Sequence, residues 1–358
     1  MIFQILTDLE YGQLHMALDR ATGLRAIVAL HSTRLGPAIG GCRVYPYVDE
    51  TAAVTDACRL ARAMGYKAAL ARLPHGGGKA VIWATEAMRR PDFDRAALFT
   101  AFARFVDSLG GAYLTCEDSG TSTRDMDVVR KTTKHVLGFS TADGGSGDPS
   151  PFTALGCRRG IEAVCEVILG RKDGKDMAGL HVAIQGVGAV GRYLALELHK
   201  LGARLTIADI DPGRAERVAA ETGAKIISIE EIFDVECDIF APCALGGAIS
   251  PSTLPRLRCR AVAGAANNQL ASPTVGRTLQ ERGIFYAPDY AINAGGLINV
   301  AQEFAGYDAE KARERASGIY ATIREIAERT QQTGRPPGEI ADQLAEEIIA
   351  AGPQALAT

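Results

Sequence analysis

The chain has 358 residues, 47% of them apolar and 23% charged, with a formal net charge of −3. That length suggests two domains around two cores, and the charge balance lacks the basic excess of a nucleic-acid binder. No apolar run approaches the ~18–20 residues of a membrane span. The N-terminus has no basic leader before Asp8, so a cytoplasmic protein is expected. Eight cysteines, at 42, 58, 116, 157, 165, 237, 243 and 259, contain no C-x-x-C pair and read as small apolar residues. The six histidines show no H-x-x-x-H spacing, so no metal site is expected.

In chain order, Ala26-Ile27-Val28-Ala29-Leu30 and Ala80-Val81-Ile82-Trp83 are short β-like runs among helices. A helix is predicted from about Thr51 to Met64, capped by Asp49, with Val54, Ala57, Cys58, Ala61 and Met64 as its buried stripe. A second covers about Phe93 to Leu109 and stops at Gly110-Gly111. The Gly-, Ser-, Asp- and Pro-rich stretch Ser140 to Pro151 reads as a loop or hinge. From about Leu180 to Pro288 six apolar runs alternate with helices: 181–184, 205–208, 225–227, 238–241, 261–263 and 284–286. That alternation predicts a parallel sheet covered on both faces. Beyond Gly295 the pattern is helical, over about Ala309–Gln332 and Gly338–Ala351, with a break at Gly334-Arg335-Pro336-Pro337. The expected fold is α/β in two domains. Residues 1–145 would form a substrate-binding and oligomerisation domain and 146–329 a Rossmann-type domain, with helices of about 330–358 returning to the first.

The run Gly186-Val187-Gly188-Ala189-Val190-Gly191 is a G-x-G-x-x-G turn between a predicted strand and helix. Gly186 permits the tight turn, Gly188 lets backbone approach a pyrophosphate, and Gly191 lets helix and strand pack closely. A second strand ends at Asp209, twenty-three residues after Gly186, where a carboxylate accepts hydrogen bonds from the adenosine ribose. With no arginine immediately beside Asp209, NAD is expected rather than NADP.

The other conspicuous stretch runs from Gly65-Tyr66-Lys67 to Pro74-His75-Gly76-Gly77-Gly78-Lys79. Three glycines allow unusual backbone positions and leave room for a ligand, with Lys79 projecting beyond them. A lysine near other cations or partly desolvated can act as a base near neutral pH. Spacing alone leaves open a flexible loop with two solvated lysines.

The chain resembles the glutamate/leucine/phenylalanine/valine dehydrogenases, most of all the leucine-type members, from Ile27 to about Ile349. The resemblance rests on Gly36–Arg43, Tyr66–Lys79, Glu117–Thr121, Asp148–Pro151, Phe240–Gly247, Gly264–Asn268 and Tyr286–Gly296. It implies a two-domain oxidoreductase subunit with a deep cleft, in a homo-oligomer of two to eight chains. By that resemblance Lys67 holds the substrate α-carboxylate, Lys79 is the catalytic lysine, and Asp118 exchanges protons with the amino group. It places Ile39, Gly40, Gly41, Met64, Cys116, Asn267, Ala291 and Leu297 around the substrate. Along the cofactor it places Thr153, at the nicotinamide carboxamide, the 186–191 turn, Asp209, Ala244, Leu245, Ala265, Ala266, Asn267 and Asn293.

Ile39 stands where glutamate-specific relatives carry a lysine, so a distal carboxylate would face an apolar wall. Cys116 stands where leucine-type members usually have Ala and aromatic-specific ones Gly, and Leu297 is larger than the common Val. Leucine, isoleucine and valine are therefore the expected substrates, converted to 2-oxo acids with release of ammonia. An aromatic amino-acid dehydrogenase is the alternative. A non-catalytic NAD-sensing relative should have lost Lys67, Lys79 or Asp118, and all three are present.

Overall fold

Two sheets organise the computed structural model, which describes residues 2–8 and 12–356. One unit comprises the residues up to Gly147, with Val300–Ala309 and those from Ala345 onward. The other comprises Asp148–Asn299 and Glu310–Leu344.

In chain order the first unit contains α1 (Ile2–Asp8), β1 (Gln13–Asp19), β2 (Leu24–Ser32), β3 (Ala38–Tyr45) and α2 (Glu50–Leu70). It continues with β4 (Gly76–Trp83), α3 (Arg95–Ser108), β5 (Tyr113–Glu117) and α4 (Thr123–Arg130). The sheet order is β1-β2-β4-β3-β5, with β1–β2 and β2–β4 antiparallel and β3 parallel to both β4 and β5. Because side chains alternate along a strand, Val28, Cys42, Ala80 and Ile82 pack with α3 residues such as Phe99 and Phe102. Ile27, Ala29 and Val81 turn the other way, onto Val54, Ala57, Cys58 and Ala61 of α2.

The predicted β-like runs fall inside β2 and β4, whereas β1, β3 and β5 carry weak sequence signals. Polar residues interrupt the edge strand β1, two glycines interrupt β3, and β5 has only five residues. Asp49 caps α2, accepting the Ala52 N–H at 2.7 Å. The helix passes its predicted end at Met64 by six residues, carrying Tyr66 and Lys67 on it. Gly65 does not stop it, because the helix needs a small residue there to lie against β4. A Cβ on Gly77 would come within 2.2 Å of the Gly65 Cα. Gly76, Gly77 and Gly78 are thus a buried strand rather than the ligand-spanning loop that three glycines suggest, and none has a positive φ.

The second unit contains α5 (Ser150–Val167), β6 (His181–Gln185), α6 (Ala189–Lys200), β7 (Arg204–Ala208), α7 (Pro212–Thr222), β8 (Lys225–Ile226) and β9 (Ile239–Pro242). After these come β10 (Ala261–Val262), α8 (Pro273–Glu281), β11 (Phe285–Tyr286), α9 (Asp289–Ile292) and α10 (Gly295–Ala301), which ends among the residues of the first unit. Then follow α11 (Ala309–Ser317), α12 (Ile319–Thr333) and α13 (Pro337–Ala351), the last again ending in the first unit. All six strands pair in parallel in the order β11-β10-β9-β6-β7-β8. Counted within the unit this is 3-2-1-4-5-6, the doubly wound order that opens a crevice between its first and fourth strands. Each predicted apolar run supplies one strand. The single helix predicted over 309–332 is broken at Gly318 into α11 and α12. No described helix is long and apolar enough to cross a membrane.

Candidate active site

The register of the first sheet places Ile39, Gly41 and Arg43 of β3 on the same face as Gly77, Lys79 and Val81 of β4. Leu114 and Cys116 of β5 share that face, and Asp118 lies just past the strand end. This is the face that α2 covers, so the helix carrying Lys67 packs directly on the sheet face that carries Lys79. Lys79 is 5% exposed, and its Nζ lies 2.7 Å from Oδ2 of Asp118. A lysine that buried is kept by a charge partner, so it is not a solvated surface residue.

Arg43 Nε donates to the same Oδ2 at 3.0 Å. The Asp118 backbone N–H donates to Thr121 Oγ1 at 2.8 Å, and that hydroxyl donates to the carbonyl of Cys42. Burial alone would raise the Asp118 carboxyl, but Lys79 and then Arg43 outweigh it and hold it below the usual range. Asp118 is therefore an ionised acceptor between two cations. Gly41 makes the approach possible, because a Cβ there would sit 2.7 Å from the Asp118 Cβ. Gly40 is equally buried, its carbonyl accepting the Tyr113 hydroxyl. Ile39 is fully buried, Met64 and Lys67 are half-buried, and burial pushes the Cys116 thiol up to about 12. Cys116 is thus a neutral, apolar group. Val300 reaches the same neighbourhood: a Cβ on Gly138 would meet Cys116 Cβ at 3.7 Å and Val300 Cγ2 at 3.8 Å. Sequence reasoning missed Val300 and the role of Arg43, the first because a lone valine carries no signal. Arg43 was visible only as part of a motif.

In the second unit the glycine turn joins β6 to α6 at the switch point. Gly186 has φ 90°, and a Cβ on it would meet Ala244, just after β9, at 2.8 Å. A Cβ on Gly191 would strike the carbonyl oxygen of Gly186 at 2.1 Å. Gly188, the N-cap of α6, has no side-chain cap, and a Cβ on it would meet nothing closer than Arg214 Nη1, at 3.9 Å. The helix-start N–H groups of Ala189 and Val190 are thus available to a pyrophosphate. Asp209 Oδ2 accepts the Val187 N–H at 2.7 Å, and Oδ1 accepts that of Asp211 at 2.9 Å, fixing the carboxylate at the end of β7. No arginine adjoins Asp209 in the sequence, but three approach the glycine turn. Helical turns that the sequence separates bring Arg192, Arg214 and Arg217 around a cavity of about 270 Å³ shared with Val187, Gly188 and Ala189. Arg192 pairs with Glu221 and Arg214 with Asp211, so acids offset two of these charges.

The buried Ala265 and Ala266 and the exposed Asn267 follow β10 in a loop held from beneath. The Asn293 amide donates to the carbonyls of Ala265 and Ala266 and, at 2.8 Å, to Asn267 Oδ1. Gln269, fully buried, donates to the carbonyls of Gly264 and Ala266. Its role was missed, since no local pattern marks it. Asn293 Oδ1 is buried without a hydrogen-bond partner, as a site that receives a polar ring substituent requires. Thr153 Oγ1, in the first turn of α5, donates to the Pro149 carbonyl at 3.1 Å, and Gly296 packs against it. Ala291 and Leu297 are buried nearby in sequence, whereas Ala244 and Leu245 are exposed. The uncapped helix start, the open glycine and the unpartnered amide oxygen together fit a dinucleotide. Among the described residues no group of three His, Cys, Asp or Glu side chains is placed to hold a metal ion.

A doubly wound dinucleotide unit, in one chain with a sheet-borne lysine–aspartate pair, defines the amino-acid dehydrogenase class. Residues 11–135 match the Glu/Leu/Phe/Val dehydrogenase dimerisation domain, and 207–344 match the Glutamate/Leucine/Phenylalanine/Valine dehydrogenase domain. The chain belongs to this family. It is 46% identical over 349 residues to a leucine dehydrogenase of Thermoactinomyces intermedius, covering 97% of this chain and 93% of that one. It is 44% identical to a valine dehydrogenase of Streptomyces coelicolor, over 95% and 92% of the two chains. The crystal structure of L-tryptophan dehydrogenase from Nostoc punctiforme superposes with a TM-score of 0.89, at 40% identity and 98% coverage of both. The protein is an amino-acid dehydrogenase, and its cofactor is NAD.

Proposed function

We propose that this chain catalyses the reversible oxidative deamination of branched-chain L-amino acids, leucine, isoleucine and valine. The observation that carries the reading is the Lys79–Asp118 pair on a sheet face whose neighbouring position, Ile39, is apolar. Lys67 pairs with the substrate α-carboxylate and orients Cα. Asp118, ionised between its cations, accepts a proton from the α-ammonium group. NAD, when bound, supplies a hydride acceptor. Lys79 then promotes addition of water to the substrate imine and stabilises the charge of the carbinolamine, which collapses to ammonia and the 2-oxo acid. Thr153, Asn293 and the 265–267 loop position the nicotinamide end, while the 186–191 turn and Asp209 hold the pyrophosphate and ribose.

Ile39 gives a second carboxylate no partner, and burying an unpaired charge costs at least several kcal/mol. Cys116, larger than glycine and uncharged, narrows the space for an aromatic ring. The chain is further proposed to work as a cytoplasmic homo-oligomer. The name of the family domain matched at 11–135 supports this, as does the edge strand β1, whose Met16 and Leu18 are exposed.

NADH formation at alkaline pH with leucine, isoleucine, valine, phenylalanine, tryptophan and glutamate tests the reading. A branched-chain substrate should give the highest kcat/KM, and glutamate almost none. Cys116→Gly should improve the aromatic substrates, within the roughly 1–3 kcal/mol that one methylene of pocket volume discriminates. Tryptophan or phenylalanine outpacing leucine in the wild-type enzyme would overturn the size argument. With Asp209 intact, NAD should be used far better than NADP, and Asp209→Ser should narrow that margin. Equal rates with both cofactors in the wild type would remove Asp209 from the ribose.

A further inference from the structure

Behind the Lys79–Asp118 pair stands a second line of side chains. Arg43 bridges two carboxylates: its Nε lies 3.0 Å from Asp118 Oδ2 and its Nη1 lies 3.2 Å from Asp56 Oδ2. Asp56, on α2, also accepts the Tyr47 hydroxyl at 2.6 Å on that same oxygen. The relay thus runs Tyr47–Asp56–Arg43–Asp118–Lys79, drawing on α2, β3, β4 and the end of β5. All of its inner members are at most one-third exposed.

We propose that Arg43, held by Asp56 and Tyr47, is a positioning residue that fixes the Asp118 carboxylate against Lys79 for proton transfer with the substrate amino group. This rests on the role given to Asp118 above. Two donors on one oxygen stop the carboxyl from rotating, which a lone lysine on a flexible stem does not. Asp56 in turn restrains the guanidinium, and burial followed by the Asp56 hydrogen bond pushes the Tyr47 phenol far up, so Tyr47 stays a neutral donor. The other groups around Asp118 are the Cys42 and Cys116 thiols, which burial keeps neutral, and the Ser119 N–H. Glu117 adjoins it in sequence. Lys79 and Arg43 are therefore the cations that set its ionisation.

Steady-state kinetics and pH profiles of the full-length enzyme test this with Arg43→Met, Arg43→Lys, Asp56→Asn, Tyr47→Phe and, as the control, Asp118→Asn. Misplacing a reacting group by about 1 Å costs on the order of 10²-fold, and a fall of that order in kcat is expected for Arg43→Met. KM for leucine and for NAD should change little, because Arg43 holds neither ligand. The acid limb of kcat should move to higher pH, since a carboxylate that loses a cation protonates more readily. Arg43→Lys should restore part of the rate, and Tyr47→Phe, which removes one oxygen, should show the same shift in weaker form. Arg43→Met and Tyr47→Phe enzymes with wild-type kcat and an unmoved acid limb, beside an inactive Asp118→Asn, would overturn the positioning role while leaving Asp118 in place. An active Asp118→Asn would instead overturn the assignment beneath it.

Discussion

At the scale of single residues, two lysines of adjoining layers are proposed to carry different work, and kinetics would separate them. Lys67 lies on a helix and is half-buried; Lys79 lies mid-strand, nearly buried, and its charge is spoken for by Asp118. Lys79→Ala should lower kcat by ~10²–10⁴, the usual value of one acid–base group, with NADH binding intact. NADH fluorescence titration and turnover measured side by side check this, and a variant within tenfold of wild type would remove Lys79 from the chemistry. Lys67→Ala should show mainly a raised KM for the amino acid, since it loses a contact present in ground and transition states alike. An unchanged KM would place the carboxylate elsewhere.

At the scale of elements, the glycines of β4 are a packing device. Its central position between β2 and β3 leaves no room on either side, and α2 lies across it so closely that Gly77 meets Gly65 backbone to backbone. That contact sets how far Lys67 on the helix stands from Lys79 on the strand. Gly77→Ala would put a Cβ 2.1 Å from the Gly65 nitrogen. Overpacking of this kind costs ~1–3 kcal/mol and must push α2 outward. A lowered Tm together with a raised KM for amino acid is the expected pair of results. Gly338→Ala, in the first turn of α13 with nothing within 4 Å of the new Cβ, is the contrast. It should be neutral or raise stability by up to ~1 kcal/mol, the helix-interior difference between the two residues. Thermal unfolding of both variants decides the point, and equal Tm values would refute the close-packing account.

At the scale of the whole molecule, the end of α13 completes the first unit. Glu346 accepts the Tyr66 hydroxyl from a position 280 residues further on, and Arg62 joins them on α2. Beneath this cluster His31 sits edge-on to Tyr66 at 5.7 Å. Burial, then the Arg62 charge, holds its imidazole down to about 4, although Glu346 pulls the other way. An unfolded His31 binds a proton below about pH 6.5. The folded one resists it until about pH 4, so its contribution is complete above 6.5 and declines as pH falls between those values. His31→Gln, which cannot be protonated, should lose less stability than wild type between about pH 7.5 and about pH 5. Melting temperatures at the two pH values test this; equal losses in both proteins would mean that His31 titrates normally when folded.

Much was legible in the sequence because it depends on neighbours along the chain. Periodicity marked the six strands of the second sheet, and the glycine turn with Asp209 at the next strand end follows from local geometry that only glycine and a short carboxylate satisfy. Lys79 and Asp118 were recognisable as types in a motif. What they touch was not, because Arg43, Asp56 and Val300 arrive from β3, α2 and a segment more than 150 residues beyond β5, and contact order is invisible to local pattern. The three glycines before Lys79 show the same limit. A glycine's identity reports only that a Cβ is forbidden, and the reason for it, a loop around a ligand or a helix pressed onto a strand, is decided by what the tertiary structure packs beside it.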